Sequence, residues 1–289
     1  MSQPTNTVQI IECPRDAMQG IHDFIPTATK IKYIQSLLSV GFEALDCGSF
    51  VSAKYIPQMA DTAEVIRGLD LSDTKTKLSV IVANKRGAED AAKFEQISFM
   101  GYPFSISETF QVRNTNSTIE QALETVKGIQ ETCISNNKEF VLYISMAFGN
   151  PYGDVWNIEV AEKWVAEMQK LGIKYLSLSD TVGVADAETI TYLYKELIGR
   201  FPGMEFGAHF HTNPATWLDK IEPAYNSGCR RFDGAIRGFG GCPMAKDDLV
   251  GNMPTERLLD FFEELNVNTG LDKAAFAKSM ALAGEVFPG

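Results

Sequence analysis

Apolar, β-branched runs and amphipathic stretches alternate along almost the whole of this chain. The runs fall at Val8–Cys13, Ala44–Cys47, Leu78–Ala83, Gln96–Met100, Phe140–Ser145, Tyr175–Ser179, Glu205–His209 and Arg231–Ala235, each followed by a turn signal. They are mostly apolar rather than strictly alternating, the pattern of strands buried on both faces of a parallel sheet. Between them, apolar positions recur at helical spacing. Thr27–Val40 carries Ile31, Ile34, Leu37 and Leu38 and stops at Gly41. Asn116-Ser117-Thr118 with Glu120 has the form of a capped start for a helix to about Ser135. Ile158–Leu171, Ala187–Phe201 and Pro214–Ser227 end at Gly172, Pro202-Gly203 and Gly228. Repetition of strand, helix and glycine predicts an α/β fold of eight parallel strands, a (β/α)8 TIM barrel. Thr255–Leu265 then reads as a closing helix and Lys273–Ala283 as an additional C-terminal one. A doubly wound open sheet is the alternative, but no GxGxxG follows Val8–Cys13.

Length and composition agree with the barrel. The chain has 289 residues, and such barrels usually take ~250. We expect one catalytic domain over 1–289, the barrel spanning about 8–265 and a helical extra 266–289. Hydrophobic residues make up 45%, enough for a large core. No stretch approaches the ~20 apolar residues of a membrane span, and the first residues lack the charge and apolar run of a signal peptide. Five cysteines without CxxC spacing point to reduced thiols in a cytoplasm rather than a disulfide framework. With 26 basic against 37 acidic residues, the net charge is −11. Without a basic block, nucleic acid is not an expected partner.

Two of the three histidines stand one residue apart in Gly207-Ala208-His209-Phe210-His211. Side chains alternate across a strand, so both rings leave on the same side. Two neutral imidazoles are half of a divalent metal site that carboxylates complete; a hydrogen-bonded structural pair is the other reading. The pair sits at its strand's C-terminal end, where barrel enzymes keep their chemistry. Other polar residues fall at the same rim. Arg15, Asp16 and Gln19 follow strand one, Asp46 and Ser49 mark strand two, and Ser145 to Asn150 follow strand five. Asp180 follows strand six, and a Gly238–Pro243 loop with Cys242 and then Asn252 follows strand eight. Any one of these is a plausible cap or turn residue. Their convergence on one mouth points to an active site.

These blocks resemble, in order and spacing, the metal-dependent TIM-barrel lyases and synthases, most closely the 3-hydroxy-3-methylglutaryl-CoA lyases. The resemblance runs from Val8 to about Leu265. It rests on Pro14-Arg15-Asp16 with Gln19, and on Ser49-Phe50-Val51-Ser52 with Lys54 and Pro57-Gln58-Met59. SDTVGV at Ser179–Val184, the histidine pair, and Gly240-Gly241-Cys242-Pro243 with Gly251-Asn252 complete it. It implies retro-Claisen cleavage of an acyl-CoA or small organic acid, giving acetyl-CoA and acetoacetate from the type substrate. It implies a divalent metal ion, Mg or Mn with Zn as a further option, held by Asp16, His209, His211 and Asn252. Arg15 would donate to the thioester oxygen as charge develops there. Cys242 would protonate the product carbanion from a loop whose glycines let it close. Asp46 and Asp180 would orient the histidines or help move the hydroxyl proton. Gln19, Ser49, Lys54 and Arg113 are substrate-binding candidates, with Lys54, Arg113 and Lys246 available to phosphates. The resemblance also implies a homodimer.

Departures from the pattern bear on the acyl group more than on the metal. Asp46 stands where these lyases carry Glu, and Ala17-Met18 replaces Gly-Leu. Thr212-Asn213-Pro214 replaces Asp-Thr-Tyr, and the chain ends at Gly289, short of a basic tail that holds the nucleotide in longer relatives. Two competitors share the architecture. An aldolase or acyl-CoA condensing enzyme of the same superfamily would act on a 2-oxo or 4-hydroxy-2-oxo acid. A metal-dependent hydrolase would place HxH on the first strand with further histidines later, whereas this chain has only His22 besides the pair. A degenerate, non-catalytic barrel is disfavoured by Arg15, Asp16, Cys242 and Asn252.

Overall fold

The computed structural model describes residues 7–213, 215–241 and 250–287. Its frame is a closed ring of parallel strands: β1 (Gln9–Glu12), β2 (Ala44–Ser49), β3 (Lys77–Ile81), β4 (Ile97–Ser105), β5 (Glu139–Ser145), β6 (Tyr175–Asp180), β7 (Glu205–Thr212) and β8 (Arg231–Gly234). Each pairs with the next, and β8 pairs with β1, so no sheet edge is left open. Around the ring run α1 (Pro14–Gln19), α2 (Thr27–Leu38), α3 (Thr62–Arg67), α4 (Lys85–Ala92), α5 (Glu108–Thr115) and α6 (Ile119–Ser135). They are followed by α7 (Ile158–Lys170), α8 (Ala187–Arg200), α9 (Leu218–Asn226), α10 (Thr255–Glu264) and α11 (Lys273–Val286). The expected TIM barrel with its C-terminal helix is what the chain forms.

The core has two layers, as strands buried on both faces require. Ile11, Cys13, Ala44, Ile81, Phe99, Val141 and Tyr143 form one apolar cluster from alternate residues of β1 to β5, the barrel interior. The larger cluster lies between strands and helices. α11 docks on α2, with Phe276 edge-on to Phe42 at 6.4 Å and Phe287 edge-on to Tyr33 at 5.7 Å. No helix among the described residues is long and apolar enough to cross a membrane.

Several elements end or begin elsewhere than the sequence suggests. β4 runs five residues past Met100, through Gly101-Tyr102-Pro103 to Ser105. The β3 ladder ends at Gly101, so Pro103, which points the same way, withholds its missing N–H from no partner. β7 continues through His211 to Thr212 because a two-residue strand, β9 (Gly251–Asn252), pairs with it antiparallel, His211 opposite Asn252. The helix before Gly228 begins at Leu218 rather than at Pro214, which lies outside the described residues. The capped start before α6 is as read, but the reciprocal partner of Thr118 is Gln121 rather than Glu120.

Candidate metal centre and active site

Pro14 opens α1 with a fixed φ and no orphan N–H, and thereby places Arg15 and Asp16 in the first turn at the mouth of β1. Both side chains are buried. Arg15 is held on three sides. Its Nε donates to Asp46 Oδ2 at 3.0 Å and its Nη2 to the same oxygen at 2.5 Å. Its Nη1 donates to Asp16 Oδ1 and to Gln19 Oε1, both at 2.8 Å. A guanidinium has five N–H donors; these contacts occupy four, which leaves one Nη2–H for a ligand. Burial works against the charged guanidinium, but Asp46 and Asp16 outweigh it and raise its pKa, so it stays cationic. Burial also raises the Asp46 carboxyl, against the pull of Arg15.

Asp16 accepts from Gln19 Nε2 at 2.8 Å and from Asn252 Nδ2 at 2.7 Å besides Arg15. Burial pushes its carboxyl up, but Arg15, the two histidines and the Asn252 amide together bring it below the ordinary value. An anionic oxygen thus faces the histidine pair. Asp16, His209 and His211 bring ligand atoms within 4.8 Å of one another, and the imidazole centroids are 5.4 Å apart.

Each ring is oriented from behind. His211 Nδ1 lies 2.9 Å from the Thr181 carbonyl, which can only accept, so that nitrogen carries the proton. Its Nε2 is then a lone-pair acceptor, and it is buried without a hydrogen-bond partner. An orphaned buried acceptor beside a carboxylate is what a metal ligand looks like before its ion arrives. His209 Nδ1 lies 3.1 Å from Asp233 Oδ2, a carboxylate–histidine pair of the kind that backs metal ligands. Burial lowers the His209 pKa, yet Asp233 and Asp16 outweigh it and raise it. Burial and the neighbouring His209 lower that of His211.

Asn252 arrives by the β9 pairing rather than by a barrel strand. Its amide hydrogens go to Asp16 and to the Phe239 carbonyl at 2.9 Å, which leaves Oδ1 for an ion. Gly240 makes this approach possible. It adopts φ +88°, and a Cβ there would lie 2.6 Å from the Asp16 carbonyl and 2.7 Å from Asn252 Nδ2. The glycine at 240 therefore does more than loosen a loop; it lets backbone lie against Asp16 and Asn252.

The residues singled out in the sequence separate into groups. Arg15, Asp16, Gln19, Asp46, His209, His211 and Asn252 meet in one network. Cys242 and Lys246 lie outside the described residues. Asp180 does not touch the histidines: one oxygen takes Lys220 Nζ at 2.5 Å and the other the Ala185 N–H at 3.1 Å. Nor does Asp46 orient them, being committed to Arg15. The orienting groups are Asp233 and the Thr181 carbonyl, which a sequence hides: a lone acid in an apolar strand and a main-chain atom. Ser49 is tied inward, its hydroxyl 3.3 Å from the Ile81 carbonyl and accepting from Val51 N–H at 3.1 Å. Lys54 is exposed beside Tyr55, and the exposed Arg113 lies over the Tyr152 ring at 4.6 Å.

The chain as a whole is similar to known proteins. This chain is 34% identical over 93% of its length, and 89% of the relative's, to the 3-hydroxy-3-isohexenylglutaryl-CoA/hydroxymethylglutaryl-CoA lyase of Pseudomonas aeruginosa. It is 32% identical over 89% of its length, and 85% of the relative's, to a hydroxymethylglutaryl-CoA lyase of Bacillus subtilis. The HMG-CoA lyase of Acinetobacter baumannii, solved with coenzyme A and 3-methylmalate, matches at TM-score 0.90 and 28% identity, covering 99% of this chain and 93% of that one. The family model described as HMGL-like matches residues 7–282, and the chain belongs to that family.

Proposed function

We propose that this protein is a divalent-metal-dependent carbon–carbon lyase. It cleaves 3-hydroxy-3-methylglutaryl-CoA, or a close 3-hydroxyacyl-CoA, to acetyl-CoA and acetoacetate. The observation that carries the reading is the conjunction at one mouth of a metal-ligand set, with an orphaned His211 Nε2, and a buried arginine with one free N–H. The relatives named for this reaction support the substrate.

Asp16, His209, His211 and Asn252 would hold a divalent ion, Mg or Mn by their oxygen and imidazole character. Bound there, an ion would supply Lewis acidity toward the substrate's C3 hydroxyl. Arg15 directs its free Nη2–H at the thioester oxygen, where negative charge grows as the C2–C3 bond breaks. Asp46 fixes the guanidinium in plane, and Gln19 couples it to the ligand Asp16, so electrophile and metal site keep a constant separation. Cys242 gives its proton to the acetyl-CoA enolate. Four described cysteines are buried free thiols, which suits a reducing cytoplasm, and we assign a homodimer from the family resemblance.

The test is product analysis. Purified protein with Mn²⁺ should release acetyl-CoA and acetoacetate in equal amounts from 3-hydroxy-3-methylglutaryl-CoA. No cleavage of that thioester, with turnover of a free 4-hydroxy-2-oxo acid instead, would assign the aldolase reaction.

A further inference from the structure

A second cluster shares His209 and its partner Asp233 with the ligand set and adds Cys13, a thiol that the proposed reaction does not use. Cys13, His209 and Asp233 bring a sulfur, a ring nitrogen and a carboxylate oxygen within 4.8 Å of one another. Cys13 is the last residue before α1 and faces the barrel interior. The thiols of Cys47 and Cys229 donate to the carbonyls of Ser79 and Phe206, whereas no such bond holds Cys13 among the described residues. Asp233 is 4% exposed, and its second oxygen, Oδ1, is buried without a hydrogen-bond partner. An acceptor oxygen and a sulfur thus sit unpartnered beside an imidazole.

We propose that Cys13, His209 and Asp233 form a thiolate-containing site for a soft divalent ion of the zinc or cadmium type, in competition with the harder ion at Asp16 and His211. The donor chemistry selects the ion. Sulfur with nitrogen and one carboxylate oxygen suits zinc-like ions, while magnesium and calcium take oxygen shells. Around one ion with metal–ligand bonds of 2.0–2.3 Å, tetrahedral geometry sets donors about 3.3–3.8 Å apart. The three donors already lie within 4.8 Å of one another, and small rotations of the Cys13 and Asp233 side chains, the latter bringing its unpartnered Oδ1 to the ion, close the rest. On binding, the Cys13 thiol proton leaves to solvent and the Sγ–metal bond forms, with no redox change. A neutral imidazole ligates through one nitrogen, so the two ions compete for His209.

The site stands apart from the lyase reading, because its test reads ligation rather than turnover. Metal-free full-length protein is titrated with Cd²⁺ while the ultraviolet thiolate-to-cadmium charge-transfer band is recorded. The band should grow to one equivalent in the wild type, in His211→Ala and in Cys242→Ala, and be lost in Cys13→Ala. It should form only at higher Cd²⁺ when the protein is preloaded with Mn²⁺. Cys13→Ser, checked by circular dichroism, gives the same reading if the alanine variant does not fold. A band that persists without Cys13, that vanishes in Cys242→Ala, or that never forms in the wild type overturns the proposal.

Discussion

The single uncommitted N–H of Arg15 makes that residue a sharp probe of the chemistry. Arg15→Met removes a donor that acts as charge develops, so kcat should fall by about 10²-fold or more while KM changes little. Steady-state kinetics decides it, and a change confined to KM would reassign Arg15 as a substrate clamp. The legible residues are those whose spacing carries geometry. His209 and His211 declare a shared side by their separation of two, and Pro14-Arg15-Asp16 declares a strand end by its proline. Asp233 gives no such sign, because one acid in Arg231-Phe232-Asp233-Gly234 is equally a turn or a buried partner. Asp180 shows the converse. It stands in the right block, yet Lys220, three elements on in the chain, takes its charge.

At the level of elements, the strands were legible as continuous apolar runs because a parallel barrel buries both faces of each. The short helices α1, α3, α4 and α5, of six to eight residues, give barely two turns over which a helical period can emerge. β9 is shorter still, and it is the element that delivers Asn252. Its placement depends on the Gly238–Gly241 backbone passing close to Asp16. Gly240→Ala should therefore displace that segment, adding strain on the order of 1–3 kcal/mol and weakening metal binding while leaving the barrel's circular dichroism unchanged. Calorimetric titration with Mn²⁺ checks this; unaltered affinity would mean that the close approach is not needed for ligation.

Across the whole molecule, one buried carboxyl ties the first strand of the ring to the segment after the last strand and to the start of α10. Glu12 accepts the Ile236 N–H at 2.8 Å and the Thr255 hydroxyl at 2.5 Å, and burial above all raises its pKa from 4.5 to about 8. The folded protein thus keeps a proton that the unfolded chain gives up. Stability from this group is full below about pH 4.5 and declines as pH rises to about 8. The loss is a few kcal/mol at most, since each tenfold difference in proton affinity between the folded and unfolded states is worth about 1.4 kcal/mol. Glu12→Gln should flatten denaturation free energy between those limits, as followed by urea melts at a series of pH values; an unchanged slope would place the titration elsewhere. The proposed metal centre lies where the orphaned His211 Nε2, Asp16, His209 and Asn252 meet at the mouth of the barrel. Calorimetric titration of metal-free protein with Mn²⁺, wild type beside His211→Ala, tests it most directly, with activity measured on the same samples. We predict one tight site in the wild type, and in His211→Ala a loss of that site and of turnover with the fold intact. Equal affinity and full activity in the variant would contradict the account.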